Sequence, residues 1–512
     1  MSHAEIMRAL SGLLLGMFAA VLSSTIVTNA LPRIIADLGG GQSAYTWVIT
    51  ATLLAMTASM PLWGKLADLF SKKLLIQCAL VLYAAGSVVA GLAQSPGMLI
   101  TVRAVQGIGV GGLAGLAQII MAAMIAPRER GRYNGYLGAT FAAATVSGPL
   151  IGGLITDTPG LGWRWCFFAG VPFSVVALVV LQRTLRLPVT RRAVRIDWLG
   201  ALLVSAAVSL LLVWVTLAGD RYPWLSWQTA AMTGGAVLLG LAFVVAETRA
   251  SEPIIPLRLF RDPTIALASF ASLFVGIAMF SGTVFFSQFF QLADGRSPTL
   301  SGVMTIPLIG GMSLSSTVSG LLITRTGRWK YWLVAGGTLT TLGLVLLGTV
   351  RHDTPYAWVA VFMALMGLGV GMLLQNLVLV AQNRVGARDL GATSSVVAFF
   401  RSFGGALGVA VLGAVLAARV SQHAGDALGP AAGSGGIPDP RLLPEASRVV
   451  IETAYGRGVA EIFLCAAPAA LAALLLTLFI RETRLRSGAE PGGGPAGASV
   501  GGTVDDTTTA RR

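Results

Sequence analysis

Charge is scarce in this chain. Of its 512 residues only 11% are Asp, Glu, Lys or Arg, against 55% hydrophobic, and the mean hydropathy is +0.77. That little polar surface cannot cover a set of soluble domains. Histidine is scarcer still: His3, His352 and His423 all lie outside the apolar runs, which excludes a metal site or a histidine proton relay at membrane depth. Cys78, Cys166 and Cys465 show no pair spacing and read as small apolar fillers. No Ser/His/Asp or Cys/His constellation converges at membrane depth, so neither an enzyme nor a cofactor is expected. GIGVGG (107–112) lacks the GK[ST] ending of a phosphate loop, which argues against ATP use.

What the chain has in abundance is long apolar runs. A membrane-crossing helix needs roughly 20 mostly apolar residues, and about fourteen such runs are present: 9–31, 46–66, 75–93, 98–124, 134–155, 166–182, 198–218, 228–246, 264–292, 301–323, 331–350, 356–380, 393–418 and 458–480. The first is too long, and too polar in its second half, for a cleaved signal peptide. An even number of spans places both termini on one side. The loops on that side, with the tail arginines, collect about 25 of the 36 Lys and Arg, so both termini are expected in the cytoplasm. The net charge of +14 is spread over these loops without interleaved aromatics. It therefore reads as topology and contact with anionic membrane lipid, not as nucleic-acid binding.

The chain also resembles itself. RAVQGIGVGG (103–112) recurs as MALMGLGVGM (363–372), matching Gly107, Gly109 and Gly111 to Gly367, Gly369 and Gly371 at an offset of 260. The register persists through PRERG (127–131) against ARDLG (387–391). It continues in SGPLIGG (147–153) against LGVAVLG (407–413), with Gly148 on Gly408 and Gly153 on Gly413. GKLADLFSKK (64–73) faces GLLITRTGRWK (320–330) at a slightly different offset. Two homologous halves explain this, as in transporters whose bundles rock about a site between them. The expected domains are a six-helix bundle over 1–182, an inserted pair of helices with basic linkers over 183–262, and a second six-helix bundle over 263–483. An outer loop at 420–457, with a short amphipathic helix near 441–455, interrupts the second bundle. The Gly-, Pro-, Ala- and Thr-rich tail 484–512 is expected to be disordered and cytoplasmic.

These stretches resemble the major facilitator superfamily in its 14-span drug:proton antiporter branch. The family loop reads approximately G-x-L-A-D-x-x-G-R-K; Gly64, Leu66, Ala67, Asp68 and Lys73 match, while Ser71 and Lys72 depart mildly. ITVRAVQGIGVGG (100–112), SGPLIGGLI (147–155), SPTLSGVMTIP (297–307) and FFRSFGGALGVAVLG (399–413) resemble further signatures of the branch. GWRWCFFAGVP (162–172) resembles W-R-W-x-F-x-x-N-x-P, with Gly170 where Asn is usual. The resemblance implies an all-α integral membrane protein of the major facilitator fold, two six-helix bundles plus two inserted helices, monomeric and in the cytoplasmic membrane. It further implies export of small amphipathic drugs or antibiotics by alternating access, coupled to protons. A transporter of a lipid or other self-made metabolite is the alternative.

Site residues follow from the polar end of the first span, VLSSTIVTNALPRI (21–34). The branch often has L-D-x-T-I-V-N-V-A-L-P there, but Ser23 stands in place of the membrane-embedded Asp, and serine does not titrate in that range. Ser23, Ser24, Thr25, Thr28 and Asn29 are expected to line a hydroxyl- and amide-rich cavity suited to neutral, zwitterionic or anionic amphiphiles. Phe286, Phe290 and Gln291 of the crowded ninth span are expected to add apolar and amide contacts. None of the 22 Asp and Glu is clearly at mid-membrane. The coupling candidates are therefore the intramembrane Arg103 and Arg401, which alternatively hold helices together, with Asp37 and Glu461. Conformational switching is expected at Gly64, Asp68, Lys72 and Lys73 in the loop, at Gly107, and at Gly148, Pro149, Gly152 and Gly153, where glycine and proline let a helix bend and a neighbour approach.

Overall fold

A computed structural model describes residues 3–124, 130–185, 197–218, 222–250, 253–386, 389–424 and 445–483. The linker core 186–196, the PRERG loop up to residue 129, residues 387–388 of ARDLG, the GPAAGSGGIPDP segment and the tail from 484 lie outside the described residues. What is described is almost wholly helical. Thirteen of its helical stretches are long and apolar enough to cross a membrane, and α5 (Arg130–Asp157) occupies the position of the remaining run.

The first bundle contains α1 (His3–Asp37), α2 (Gln42–Leu69), α3 (Lys72–Gly91), α4 (Pro96–Met124), α5, and a sixth span broken into α6 (Arg164–Phe168) and α7 (Val171–Thr184). The inserted pair is α8 (Trp198–Leu217) and α9 (Trp227–Arg249). The second bundle has α10 (Pro263–Gln288) ending in a π turn (Phe289–Ala293), α11 (Pro298–Met304), α12 (Ile306–Thr326), α13 (Lys330–Leu347), α14 (Tyr356–Gln382), α15 (Leu390–Ala424) and α16 (Glu445–Phe479).

Proline explains two of the breaks. Pro172 lies at the start of α7 and Pro307 at the start of α12, and a proline has no amide hydrogen to continue the preceding helix's ladder. Another difference lies in the outer loop. The amphipathic segment expected as a separate helix near 441–455 is instead continuous with the last span, and α15 runs on to Ala424. Nothing in its sequence interrupts residues 445–479 before Pro468, so helix propagation, which adds a hydrogen bond per residue, carries through.

Glycine sets the packing inside each bundle, and it does so twice. A Cβ on Gly109 would lie 2.7 Å from the Tyr83 amide nitrogen on α3, and one on Gly111 would lie 2.5 Å from the Ser59 hydroxyl on α2. Their counterparts Gly369 and Gly371 press in the same way on Thr340 of α13 and Met312 of α12. Gly107 and Gly367 meet backbone carbonyls of α2 and α12. Small residues permit this backbone-level approach, which dispersion and weak polar contacts then reward. The offset of 260 thus relates equivalent contacts as well as equivalent letters.

The inserted pair sits against the seam between bundles. α8 packs on both α2 and α15, while α9 packs mainly on α8 and leaves Val237, Leu238 and Leu241 exposed at 61%, 67% and 58%, as a lipid-facing helix does.

Candidate functional site at the bundle interface

The two bundles are joined at one end. α1, α5 and α10 finish there, and α2 and α11 begin. Asn29, buried near the end of α1, donates its amide to the carbonyls of Pro149 (3.1 Å) on α5 and Pro298 (2.9 Å) on α11. Its backbone carbonyl accepts from Ser287 Oγ (3.0 Å) and Gln291 Nε2 (2.8 Å). One residue therefore ties four helical segments across the interface. The π turn widens the end of α10 and carries Gln291, and such turns occur mostly at functional positions.

Around this node α5 and α11 touch at backbone level. A Cβ on Gly302 would lie 2.5 Å from the Pro149 oxygen, and one on Gly153 would lie 2.5 Å from the Thr299 nitrogen and 2.8 Å from the Pro298 carbonyl carbon. Asp157, at the end of α5, accepts from the Thr299 amide (2.9 Å) and from the Thr299 hydroxyl, so a carboxylate meets the first turn of α11, where the helix dipole favours negative charge. The repeat supplies the second crossing: Gly413 on α15 abuts Thr46 on α2. Nearby, Tyr45 donates to the Val284 carbonyl (3.0 Å), and Gln42 and Gln288 exchange amide hydrogen bonds at 2.8 and 3.3 Å.

The opposite end differs. The apolar core of the first bundle divides in two: Leu22 to Leu53, Ala90 to Leu99 and Trp163 to Phe167 belong to one cluster continuous with the second bundle. Ile6 to Ala20, Trp63 to Tyr83 and Leu113 to Met121 form a separate cluster. Gly64 lies at that end of α2, where among the described residues a Cβ on it would meet nothing within 4 Å. The side-chain hydrogen bonds described between the two bundles gather at the end around Asn29.

Several expected site residues are placed otherwise than the sequence implied. Ser23 is fully buried inside the first bundle and does not face the interface. It lies beside Tyr83, whose hydroxyl donates to the Ala19 carbonyl (2.8 Å). A Cβ on Gly170 would sit 2.5 Å from that hydroxyl and 3.2 Å from Ser23 Cβ. The two departures from the family pattern, Ser23 and Gly170, therefore touch each other, and Tyr83 occupies the volume that Asp and Asn side chains would need. Thr25 and Thr28 bond to carbonyls of their own helix, and Ser24 and Thr28 are half-buried. Thr25 also fits against Gly148, and Ile26 against Gly152.

Phe286 and Phe290 are buried within the second bundle, 4.8 Å from Phe463 and 6.1 Å from Tyr356 by ring centroids. An apolar face of α10 packs there because α14 and α16 are apolar too. Gln291 reaches the interface, as part of the seal.

Among the coupling candidates, Arg103 is buried and donates to Gln106 Oε1 (2.6 Å), which passes on to Ser87 (2.7 Å). This polar chain stays inside the first bundle. Arg401 is half-buried, and its carbonyl presses on Gly276 of α10. Asp37 accepts from the Trp163 indole (2.9 Å) within the first bundle. Glu461 pairs with Arg419 (2.9 Å) and His423 (3.2 Å) far from the node. In the loop, Lys73 caps the end of α7 through the Gln182 carbonyl (2.6 Å), Lys72 is half-buried, and the Asp68 side chain lies outside the described residues.

Sequence reasoning missed Gln42, Tyr45, Asp157, Ser287, Gln288 and Thr299. The match of Gly153 to Gly413 was the available signal, since both mark crossings between bundles. Among the described residues no group of three metal-ligating side chains assembles.

Two pseudo-symmetric bundles, sealed together at one end, define a polytopic transporter. The Major Facilitator Superfamily model matches residues 13–409, and the chain belongs to that superfamily. It is 34% identical to the Multidrug transporter protein MdtP of Bacillus subtilis over 421 residues, covering 82% of this chain and 77% of that protein. It is 31% identical to Multidrug resistance protein 3 of the same organism over 494 residues, covering 94% and 96%. Among solved structures, a bacterial homolog of the human lysosomal transporter Spinster, inward-facing and unoccupied, superimposes with a TM-score of 0.67 at 16% identity, covering 93% of this chain and 98% of that one.

Proposed function

We propose that this chain exports small amphipathic compounds across the cytoplasmic membrane by alternating access, driven by proton influx. The observation that carries the reading is the seal between two repeat-related bundles: Asn29, Pro149, Gly153, Thr299 and Gly302 close one end of the interface. With the orientation expected from the Lys and Arg distribution the sealed end would be external, which supports an inward-facing reading, the state named for the Spinster homolog. Loading from the cytoplasm is the first half of an export cycle. The names of the Bacillus subtilis relatives, a multidrug transporter and a multidrug resistance protein, support the substrate class.

Charge on the cargo follows from the groups at the interface. The side chains that meet at the interface, Asn29, Ser287, Gln291, Gln42 and Gln288, are amides and a hydroxyl, and the carboxylate beside them, Asp157, is taken up by Thr299, so neutral, zwitterionic and anionic amphiphiles are favoured over lipophilic dications. Export is tested in inside-out vesicles energised by respiration. Neutral or anionic drugs should dissipate the pH gradient only where the protein is present. No response to any compound sinks proton-coupled export, and a response confined to lipophilic cations sinks the charge preference.

A further inference from the structure

Away from the bundle interface, at the level of the sealed end, the second bundle holds a recess of about 330 Å³ lined by Gly348, Arg351, His423, Arg457, Glu461 and Leu464. It lies where the end of α13, the loop before α14, the end of α15 and the upper part of α16 meet. Glu461 is the one acidic side chain in its lining, and its two oxygens are engaged by Arg419 and His423. Among the described residues the Arg351 guanidinium donates to its own neighbour's carbonyl at Val350 (3.0 Å), and Arg457 is exposed with no carboxylate partner. Among the described residues the recess therefore carries a net positive charge, with guanidinium donors of Arg351 and Arg457 that meet no carboxylate.

We infer that this recess binds the phosphate headgroup of an anionic membrane lipid. Depth supports it. Arg457 is 22 residues before Phe479 on α16, about 33 Å at the helical rise, close to the thickness of a hydrocarbon core of about 30 Å. With Phe479 at one boundary, Arg457 stands at the headgroup level of the other. Below the recess the lipid-facing side of α16 exposes Leu464, Leu471, Leu475 and Leu478 at 44 to 47%, and the neighbouring α13 exposes Leu342 and Val345. An acyl chain can lie along this stripe while the phosphate meets two guanidiniums, whose forked donors match phosphate oxygens. The arginines are also on the side that the charge distribution makes external, where such residues are few and oppose the topological bias. Two of them, Arg351 and Arg457, line one recess, and a third, Arg419, pairs with its Glu461, which points to a local ligand. A free phosphate ion shares this headgroup chemistry, but gains nothing from the leucine stripe.

The full chain, purified in a neutral detergent, is titrated with phosphatidylglycerol, phosphatidylcholine or inorganic phosphate, reading bound lipid by native mass spectrometry and protection against heat. Phosphatidylglycerol is expected to bind selectively, and R351Q/R457Q to lose about 30-fold in that affinity, the size given by two arginines near a lipid phosphate. Arg351→Lys with Arg457→Lys should stay within a few-fold of wild type. Glu461→Gln, which frees Arg419 and His423, should bind more tightly; a general loss of folding would weaken every variant instead. Equal binding of phosphatidylglycerol by wild type and R351Q/R457Q, or no preference over phosphatidylcholine, overturns the inference. Stabilisation by inorganic phosphate with no further gain from the lipid overturns the lipid source and leaves an ion site.

Discussion

Replacing Gly153 by alanine adds a single methyl group at the place where α5 meets α11. That methyl would lie 2.5 Å from the Thr299 nitrogen and 2.8 Å from the Pro298 carbonyl carbon, both backbone atoms that no rotamer change can move. Carbon contacts are favourable near 3.5–4.0 Å, so the helices must part by about an ångström. Overpacking of this kind costs about 1–3 kcal/mol, charged only to the sealed state, because the crossing does not exist once the bundles separate. The sealed population should fall by about 5- to 150-fold relative to the open one. Gly413→Ala tests the geometry at the repeat-related crossing. There the new methyl meets the Thr46 side chain, with Cγ2 at 2.8 Å, and a rotamer change relieves it, so its effect should be several-fold smaller. Gly64→Ala, with nothing within 4 Å, should leave the equilibrium unchanged. Spin labels on Leu161 and Leu300, in a background with Cys78, Cys166 and Cys465 replaced, report the separation of the bundles by pulsed dipolar spectroscopy. A Gly153→Ala distance distribution identical to wild type, or equal opening by Gly413→Ala, refutes the reasoning.

Removing the Asp157 carboxylate with Asp157→Ala takes both hydrogen bonds from Thr299; a loss of about 1–3 kcal/mol from the sealed state is expected, and unchanged label distances would exclude a sealing role. Ser23→Asp places a carboxyl in a fully buried site beside Tyr83, so it should lower thermal stability by at least about 2 kcal/mol without conferring a preference for cations; wild-type stability with a new cation preference would place Ser23 in the transport cavity after all. Burial raises the Asp262 carboxyl, but the Arg384 hydrogen bond, the Thr264 amide and the Arg384 charge together bring it below its ordinary 3.8. Its contribution is therefore complete above that value and is lost as pH falls through the lowered one. Arg384→Ala should cost less than about 1 kcal/mol at neutral pH, since the pair is partly solvated, and the difference from wild type in thermal unfolding should shrink towards zero below pH 3.8; a constant difference across pH would exclude this ion pair as its source.

Legibility differed from residue to residue. Asn29 stood out in the sequence as an amide near the end of an apolar helix, and it is the node of the seal. Ser23 stood out equally, yet it turns into the first bundle, where it packs beside Tyr83 and Gly170. Gly170 had no explanation in the sequence because its partners are on α1 and α3, distant in the chain. Phe286 and Phe290 were attractive as drug contacts because of their density in one span, but density of aromatics does not reveal which neighbour they face. Asp157 and Thr299 drew no role from the sequence, since both fall just outside the apolar runs.

The sequence by itself determined that this protein crosses the membrane, in which segments, and as two related halves. Those properties are local or additive: a helix must satisfy its own backbone in lipid, apolar length is counted along the chain, and a repeat is a comparison of letters. Only the tertiary structure decided which end of the interface is sealed, that Asn29 bridges to Pro149 and Pro298, that Ser23 is withdrawn, and that Arg351 and Arg457 meet in one recess. In a membrane helix the lipid-facing and protein-facing sides are both apolar, so periodicity carries little information about direction. Which face meets which helix is set by packing between segments hundreds of residues apart.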